Sequence, residues 1–125
     1  REQEVEQVMG AFIFTRREVM KKIGGWSEDY FLWWEDIDLC KRLRQLGEVI
    51  VYTPISRVLH YEGRSFARQL SFSKQRRFNR GLLTYFKKYH NRFAWFVLFL
   101  ASIDSLGLAW VSQLFRFKPR IQSKL

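Results

Sequence analysis

Apolar and polar positions change their period several times along the chain, and each change marks a predicted element. Residues 1–7 are polar and read as a loose end. The run VMGAFIFTR, residues 8–16, is short, apolar and bounded by Gly10 and by charges, which predicts a buried strand. In RREVMKKIGG, residues 16–25, Val19, Met20 and Ile23 recur at helical spacing and Gly24 supplies a stop. WSEDYFLWW, residues 26–34, has no period and reads as a turn with an aromatic loop. EDIDLCKRLRQLG, residues 35–47, predicts a helix ending at Gly47. EVIVYTP (48–54) predicts a strand closed by Pro54, and SRVLHYEG (56–63) a second strand ending near His60. From Ser71 to His90 the helical period returns, with Phe78, Leu82, Tyr85, Phe86 and Tyr89 on one face. Lys74, Arg76, Arg77, Arg80, Lys87 and Lys88 occupy the others. Residues 93–115 hold one charge, Asp104, and SIDSLG within them predicts a break into two short helices. The tail RFKPRIQSKL is basic and reads as loose. The organisation expected is therefore 1–70, a basic amphipathic helix at 71–92, and an apolar helical segment with its tail at 93–125.

Composition narrows the class. The chain has 125 residues, enough for one core, and at 47% hydrophobic it is too apolar for disorder. Lys and Arg number 22 against 12 acids, a formal charge of +10 that points to an anionic partner: nucleic acid, a nucleotide diphosphate or acidic lipid. The single cysteine, Cys40, excludes an intrachain disulfide framework and fits a reducing compartment. The first ten residues resemble neither a signal nor a transit peptide, and without an initiator Met they suggest a piece of a longer protein.

The densest chemistry is at the start of the 35–47 helix. On a wheel of about 100° per residue, Leu39, Cys40, Leu43 and Leu46 form the inward stripe. Asp36 continues that stripe at the helix mouth, behind Trp33 and Trp34, where a general base would sit. Acids in a first turn also serve the helix itself by complementing its dipole. Asp38 points the other way on this wheel, beside Arg42 four residues on, and reads as an ordinary exposed ion pair. Glu35 lies on the flank.

The ordered set running from GAFIFTRREVMKKIGG through WSEDYFLWWEDIDLCKRLRQLG to VIVYTPISRVLHYEGRS, residues 9–65, resembles the second half of the inverting family 2 glycosyltransferases of GT-A fold. Within that family it is most similar to the bacterial rhamnosyltransferase-like group that builds cell-surface polysaccharides. The resemblance implies an α/β fold, here the C-terminal, acceptor-side half of a Rossmann-like GT-A domain followed by C-terminal helices. It implies Asp36 as catalytic base, Glu35 as the residue orienting acceptor or base, and Trp33 and Trp34 lining the acceptor site. Asp38, Arg77 and Arg80 join them as substrate contacts. The family's late His falls on His60, a candidate ligand to a divalent cation, Mg²⁺ or Mn²⁺, on the donor diphosphate. His60 alone reads more readily as a strand-end histidine satisfied locally, and only the resemblance brings the ligand reading level with it. Implied partners are a nucleotide-sugar donor, a saccharide or lipid-linked acceptor and an anionic membrane surface, with a cytoplasmic, peripheral location at the inner face of the plasma membrane.

Two departures stand out. The nucleotide-binding half and its Asp-x-Asp metal motif are missing from the sequence, so most of the cation's ligands, and the fragment's activity, would depend on them. KQRRFNRG only approximates the Gln-x-x-Arg-Trp motif of processive members, which implies a non-processive enzyme. Arg64, Arg76, Arg77 and Arg80 are candidates for facing phosphates, or form a solvated or lipid-facing surface. For residues 93–115, basic flanks and polar interruptions favour interfacial membrane contact over a protein interface or a full span. Two rival classes are a basic nucleic-acid-binding module and a membrane anchor without chemistry. Acids beside the aromatics would repel a phosphate backbone, which argues against the first.

Overall fold

The computed structural model describes residues 1–60 and 71–114. β1 (Gln3–Glu4) pairs antiparallel with β2 (Val51–Tyr52), Gln3 opposite Tyr52 and Glu4 opposite Val51. The Val5 N–H extends the ladder by donating to the Ile50 carbonyl at 2.9 Å. The polar start of the chain thus carries a strand where a loose end was expected. Residues 8–16 do not form the expected strand. A strand needs a neighbour for its backbone donors and acceptors, and β1–β2 is the only ladder among the described residues. Phe12 and Phe14 stay exposed while Ile13 packs inward. The strand expected over 48–54 shrinks to two residues. Residues 56–60 are irregular and exposed, and 61–63 lie outside the described residues. Layered α/β architecture would require more strands than this ladder supplies.

α1 (Arg17–Lys22) packs Val19 against Leu39 and Leu43 of α2 (Glu35–Gln45), with Ile13, Met20 and Ile23 around them. Leu39 is fully buried, a contribution of about 1.5–3 kcal/mol from the hydrophobic effect. Leu46, placed on the inward stripe from the sequence, is exposed. The chain leaves α1 through Gly24 and Gly25, both at positive φ (73° and 78°), and the Gly25 N–H donates to the Met20 carbonyl at 2.9 Å. A β-carbon at either position would meet the left-handed penalty. This turn launches the 26–34 loop toward α3.

α3 (Ser71–Tyr89) and α4 (Arg92–Leu114) form an antiparallel hairpin turning at His90–Asn91, where the Asn91 side chain caps α4 by accepting from Ala94 N–H at 2.8 Å. Between them Asn79, nearly buried, donates to the Ser102 carbonyl at 3.0 Å and to Ser105 Oγ at 2.8 Å, and accepts from Gln75 Nε2 at 2.9 Å. α4 is one unbroken helix, which corrects the expected break at SIDSLG. Its three serines each donate back to a carbonyl three residues earlier: Ser102 to Phe99, Ser105 to Ser102 and Ser112 to Ala109. Each hydroxyl is thereby satisfied without leaving the helix. One glycine, Gly107, costs only about 1 kcal/mol in a helix interior. The last residue of the 93–115 run and the basic tail lie outside the described residues.

Candidate active site

The loop 26–34 reaches α2 through a strained residue. Trp33 has φ 76°, the one non-glycine residue at positive φ among the described residues, a conformation that costs about 1–3 kcal/mol and needs surrounding contacts to persist. One of them is the edge of Phe78, 6.2 Å from the Trp33 ring. Trp34 then packs against α3 with its ring tilted. Its indole N–H donates to the Phe78 carbonyl at 3.1 Å, and its ring sits 5.4 Å from Phe78 and 5.6 Å from Tyr85. Only glycine fits beneath it: a β-carbon at Gly81 would fall 2.2 Å from Trp34 Cδ1. Gly81→Ala should therefore displace the indole. The expected loss is about 1–3 kcal/mol of stability from overpacking, offset in part by alanine's helix propensity, together with a red-shifted tryptophan emission. Thermal unfolding and fluorescence read both, and a variant that changes neither would contradict this packing.

Between the loop and α3 lies a cleft of about 410 Å³, walled by Glu28, Asp29, Tyr30, Phe31 and Leu32 on one side and by Arg77, Arg80 and Gly81 on the other. The Arg77 guanidinium stands over the Phe31 ring, 4.8 Å from its centroid. Arg77 and Arg80 are thus brought together with the aromatic loop. The cleft is walled by Phe31 and Leu32, whereas Trp34, expected in the acceptor lining, braces the loop on α3.

Asp36, half-buried in the first turn of α2, accepts from the Gly10 N–H at 2.9 Å through Oδ2 and from the Ile37 N–H at 2.8 Å through Oδ1. Two backbone donors fix the carboxylate's direction and leave lone pairs available. Glu35 beside it has a buried Oε2 without a hydrogen-bond partner among the described residues.

Asp38 is the largest departure from the sequence reading. It is not an exposed ion-pair partner: it is 0% exposed. Its Oδ1 accepts from Tyr89 Oη at 2.7 Å, Lys88 Nζ at 2.9 Å and Tyr30 Oη at 3.2 Å, and its Oδ2 accepts from Arg42 Nε at 2.6 Å. The Arg42 pairing was legible; the burial was not, because α3 covers this face. Burial alone would push the Asp38 carboxyl up, but hydrogen bonds from Tyr89, Lys88 and Arg42 outweigh it and hold the group below the usual carboxylate range. Burial and the bond to Asp38 push Tyr89 up to about 12, and the same causes raise Tyr30. Burial acts to lower Lys88, yet its hydrogen bond to Asp38 prevails and raises it. Four donors thus share one carboxylate, three of them on Oδ1 and one on Oδ2, and they enclose it completely.

His60 is exposed and is the last described residue before 61–70. Among the described residues no three His, Cys, Asp or Glu side chains gather as a metal site. His60 therefore stands there as a single candidate ligand, outside any such cluster.

The profile of glycosyltransferase-like family 2 matches residues 1–81. The chain belongs to that family. The family match runs past the 9–65 resemblance through α3 to Gly81, and so takes in both walls of the cleft. Among curated relatives, N-acetylglucosaminyl-diphospho-decaprenol L-rhamnosyltransferase of Mycobacterium tuberculosis is 37% identical over 67 residues, covering 54% of this chain and 22% of the relative. Rhamnosyltransferase WbbL of Escherichia coli K12 is 35% identical over 65 residues, 50% of this chain and 25% of the relative. An uncharacterized protein, y4gI, of Sinorhizobium fredii is 32% identical over 79 residues, 62% of this chain and 9% of the relative. The chain thus spans a quarter or less of the length of these relatives. No solved structure matches it significantly. For a family 2 chain the residues that periodicity missed are Tyr30, Lys88 and Tyr89. The available signal was the adjacent Lys88-Tyr89 pair, whose partner lies 50 positions away and is invisible to local pattern.

Proposed function

We propose that this chain is the acceptor-side part of a GT-A glycosyltransferase. It would move a sugar, with inversion, from a nucleotide-diphosphate donor to a saccharide or lipid-linked saccharide in the synthesis of a cell-surface polysaccharide. The observation that carries the reading is Asp36: a carboxylate oriented by two backbone donors, opening α2 directly after the loop whose residues 28–32 wall the cleft. The two rhamnosyltransferase relatives support the substrate class.

In this mechanism Asp36 accepts the proton of an acceptor hydroxyl as that oxygen attacks the anomeric carbon, and the nucleotide diphosphate departs from the opposite face. Glu35, next to it, orients the acceptor or the base. Phe31 and Leu32 offer apolar surface to the acceptor sugar, and Arg77 and Arg80 its polar contacts. A divalent cation, when bound by the donor half, would neutralise charge on the leaving diphosphate. With His60 as one of its ligands, His60→Ala would weaken Mn²⁺ binding several-fold in titrations of the intact protein; an unchanged titration would remove His60 from the metal's shell. The reading as a whole is tested by incubating the intact protein with nucleotide-sugars and lipid-linked saccharides and assigning the anomeric configuration of the product by NMR. Retained configuration, or no transfer with any pair, would overturn it.

The reading places the enzyme peripherally on the inner face of the plasma membrane, with α4 as the contact. α4 has 23 residues, and its most apolar 18-residue window has a mean hydropathy of 1.8, yet only 6% of that window is buried. Phe93, Phe96, Leu100, Ile103, Leu108 and Val111 are exposed. Lys87 and Arg92 stand at one end, each adding about 1 kcal/mol on an acidic leaflet. Asp104, exposed at mid-helix, argues against a span, where a central Asp costs about 2.5–3.5 kcal/mol. The protein should float with anionic vesicles and be released by carbonate. Resistance to carbonate would mean a span, and no flotation a protein partner.

A further inference from the structure

We infer that Asp38 is a positioning residue: through Tyr30, Lys88 and Tyr89 it fastens the acceptor cleft's wall to α3 and so fixes where the acceptor sits. This rests on reading the cleft as the acceptor site. The 26–34 loop has no backbone ladder of its own and carries the strained Trp33, so its shape depends on ties to its neighbours.

Those ties are distributed along its length and most of them meet at Asp38. At the loop's entry, Arg42 Nη1 donates to the carbonyls of Ile23 and Gly25, both at 2.8 Å, while its Nε holds Asp38. Midway, Tyr30 donates to Asp38, and Lys88 bridges Asp38 and the carboxylate of Asp29, 2.9 and 3.4 Å away. At the exit, Trp34 is bonded to α3. Asp29 and Tyr30 both wall the cleft. One buried carboxylate therefore sets the spacing between the cleft's two sides without lining it. Arg42 and Lys88 serve its charge, and Tyr89 ties the end of α3 to the same oxygen that holds Tyr30. Asp38 also lies two positions from Asp36 on the same helix turn, so the base and the wall are referred to one rigid element.

The test uses the intact enzyme carrying Tyr89→Phe, Lys88→Met or Asp38→Asn, each checked for folding by circular dichroism. In transfer kinetics, Tyr89→Phe and Lys88→Met should raise the acceptor KM about tenfold, and Asp38→Asn more, with kcat within about threefold and the donor KM unchanged. Asp38→Glu should not restore the parent value, because a fully buried site has no room for another methylene. Hydrogen exchange supplies a readout independent of turnover: amides of residues 26–34 should exchange at least tenfold faster in Tyr89→Phe, while α1 is unchanged. Unaltered exchange in the loop, or a donor KM that rises with the acceptor KM, would overturn the assignment. If the parent enzyme transfers no sugar, the proposed function fails, and the exchange result still decides whether Asp38 positions the loop.

Discussion

Asp36→Asn should abolish sugar transfer, by two to four orders of magnitude, the usual span for losing a general base, while binding of the nucleotide-sugar survives. The amide keeps the size of the carboxylate, and its single oxygen can retain one of the two backbone bonds, from Gly10 or Ile37. What it loses is the capacity to take a proton from the attacking hydroxyl. Single-turnover transfer measures the chemistry, and calorimetric titration of the donor measures the binding. A mutant with turnover near the parent's would remove Asp36 from the base's role. Equal loss of donor binding would show that the residue serves structure instead. Asp36→Glu is the useful companion, because it keeps the charge but moves it by one methylene.

Asp38→Ala should be the most destabilising single change. Removing one partner of a buried ion pair leaves the others uncompensated, at a cost of about 3–5 kcal/mol. The lower end is expected here, since Lys88 keeps a side-chain exposure of 35% and can rehydrate, whereas Arg42 at 17% is more enclosed. The pH dependence follows from the same network. With its carboxyl held below the usual range, Asp38 brings stability that is complete above about pH 4 and lost as pH falls through the lower folded value. Tyr89, raised to about 12, acts on the other side. Its contribution is complete below the ordinary tyrosine value of about 10 and lost as pH rises through the folded one. Urea denaturation of parent and variant across this range should show both limbs flattened in Asp38→Ala. A variant whose stability and pH profile match the parent's would refute the network's energetic role.

Much of the helical framework was legible because period is a local property. The start of α2 at Glu35, the extent of α3 and the apolar length of α4 all followed from spacing. The errors came wherever the answer depended on a distant segment. The run 8–16 has a strand's composition, but composition supplies no partner, and the ladder formed instead between two residues at each of two other places. The helical wheel allowed α2 one inward face, whereas the helix has two: Leu39 and Leu43 meet α1, and Asp38 meets α3. SIDSLG looked like a break because serine and glycine disfavour helix on average. In place, the hydroxyls bond within the helix and Asn79 meets Ser102 and Ser105 from across the hairpin. At the site, the position of Asp36 at the mouth of α2 was visible. The roles of Trp34 and Asp38 depend on Gly81 and Tyr89, which no neighbouring residue announces.

Because Asn79, Gln75 and the three serines of α4 are bonded among themselves or to helix carbonyls, little of the hairpin's polar interior relies on water. Those bonds would persist if the apolar face of α4 were set against a hydrocarbon surface, while the six cations of α3 would hold that helix in water. Within α4 the groups that would resist such a move are few, Asp104 foremost, with Gln113 Oε1, which has no hydrogen-bond partner among the described residues, second. A single carboxylate would act as the ballast that keeps one apolar helix at the boundary between the two phases.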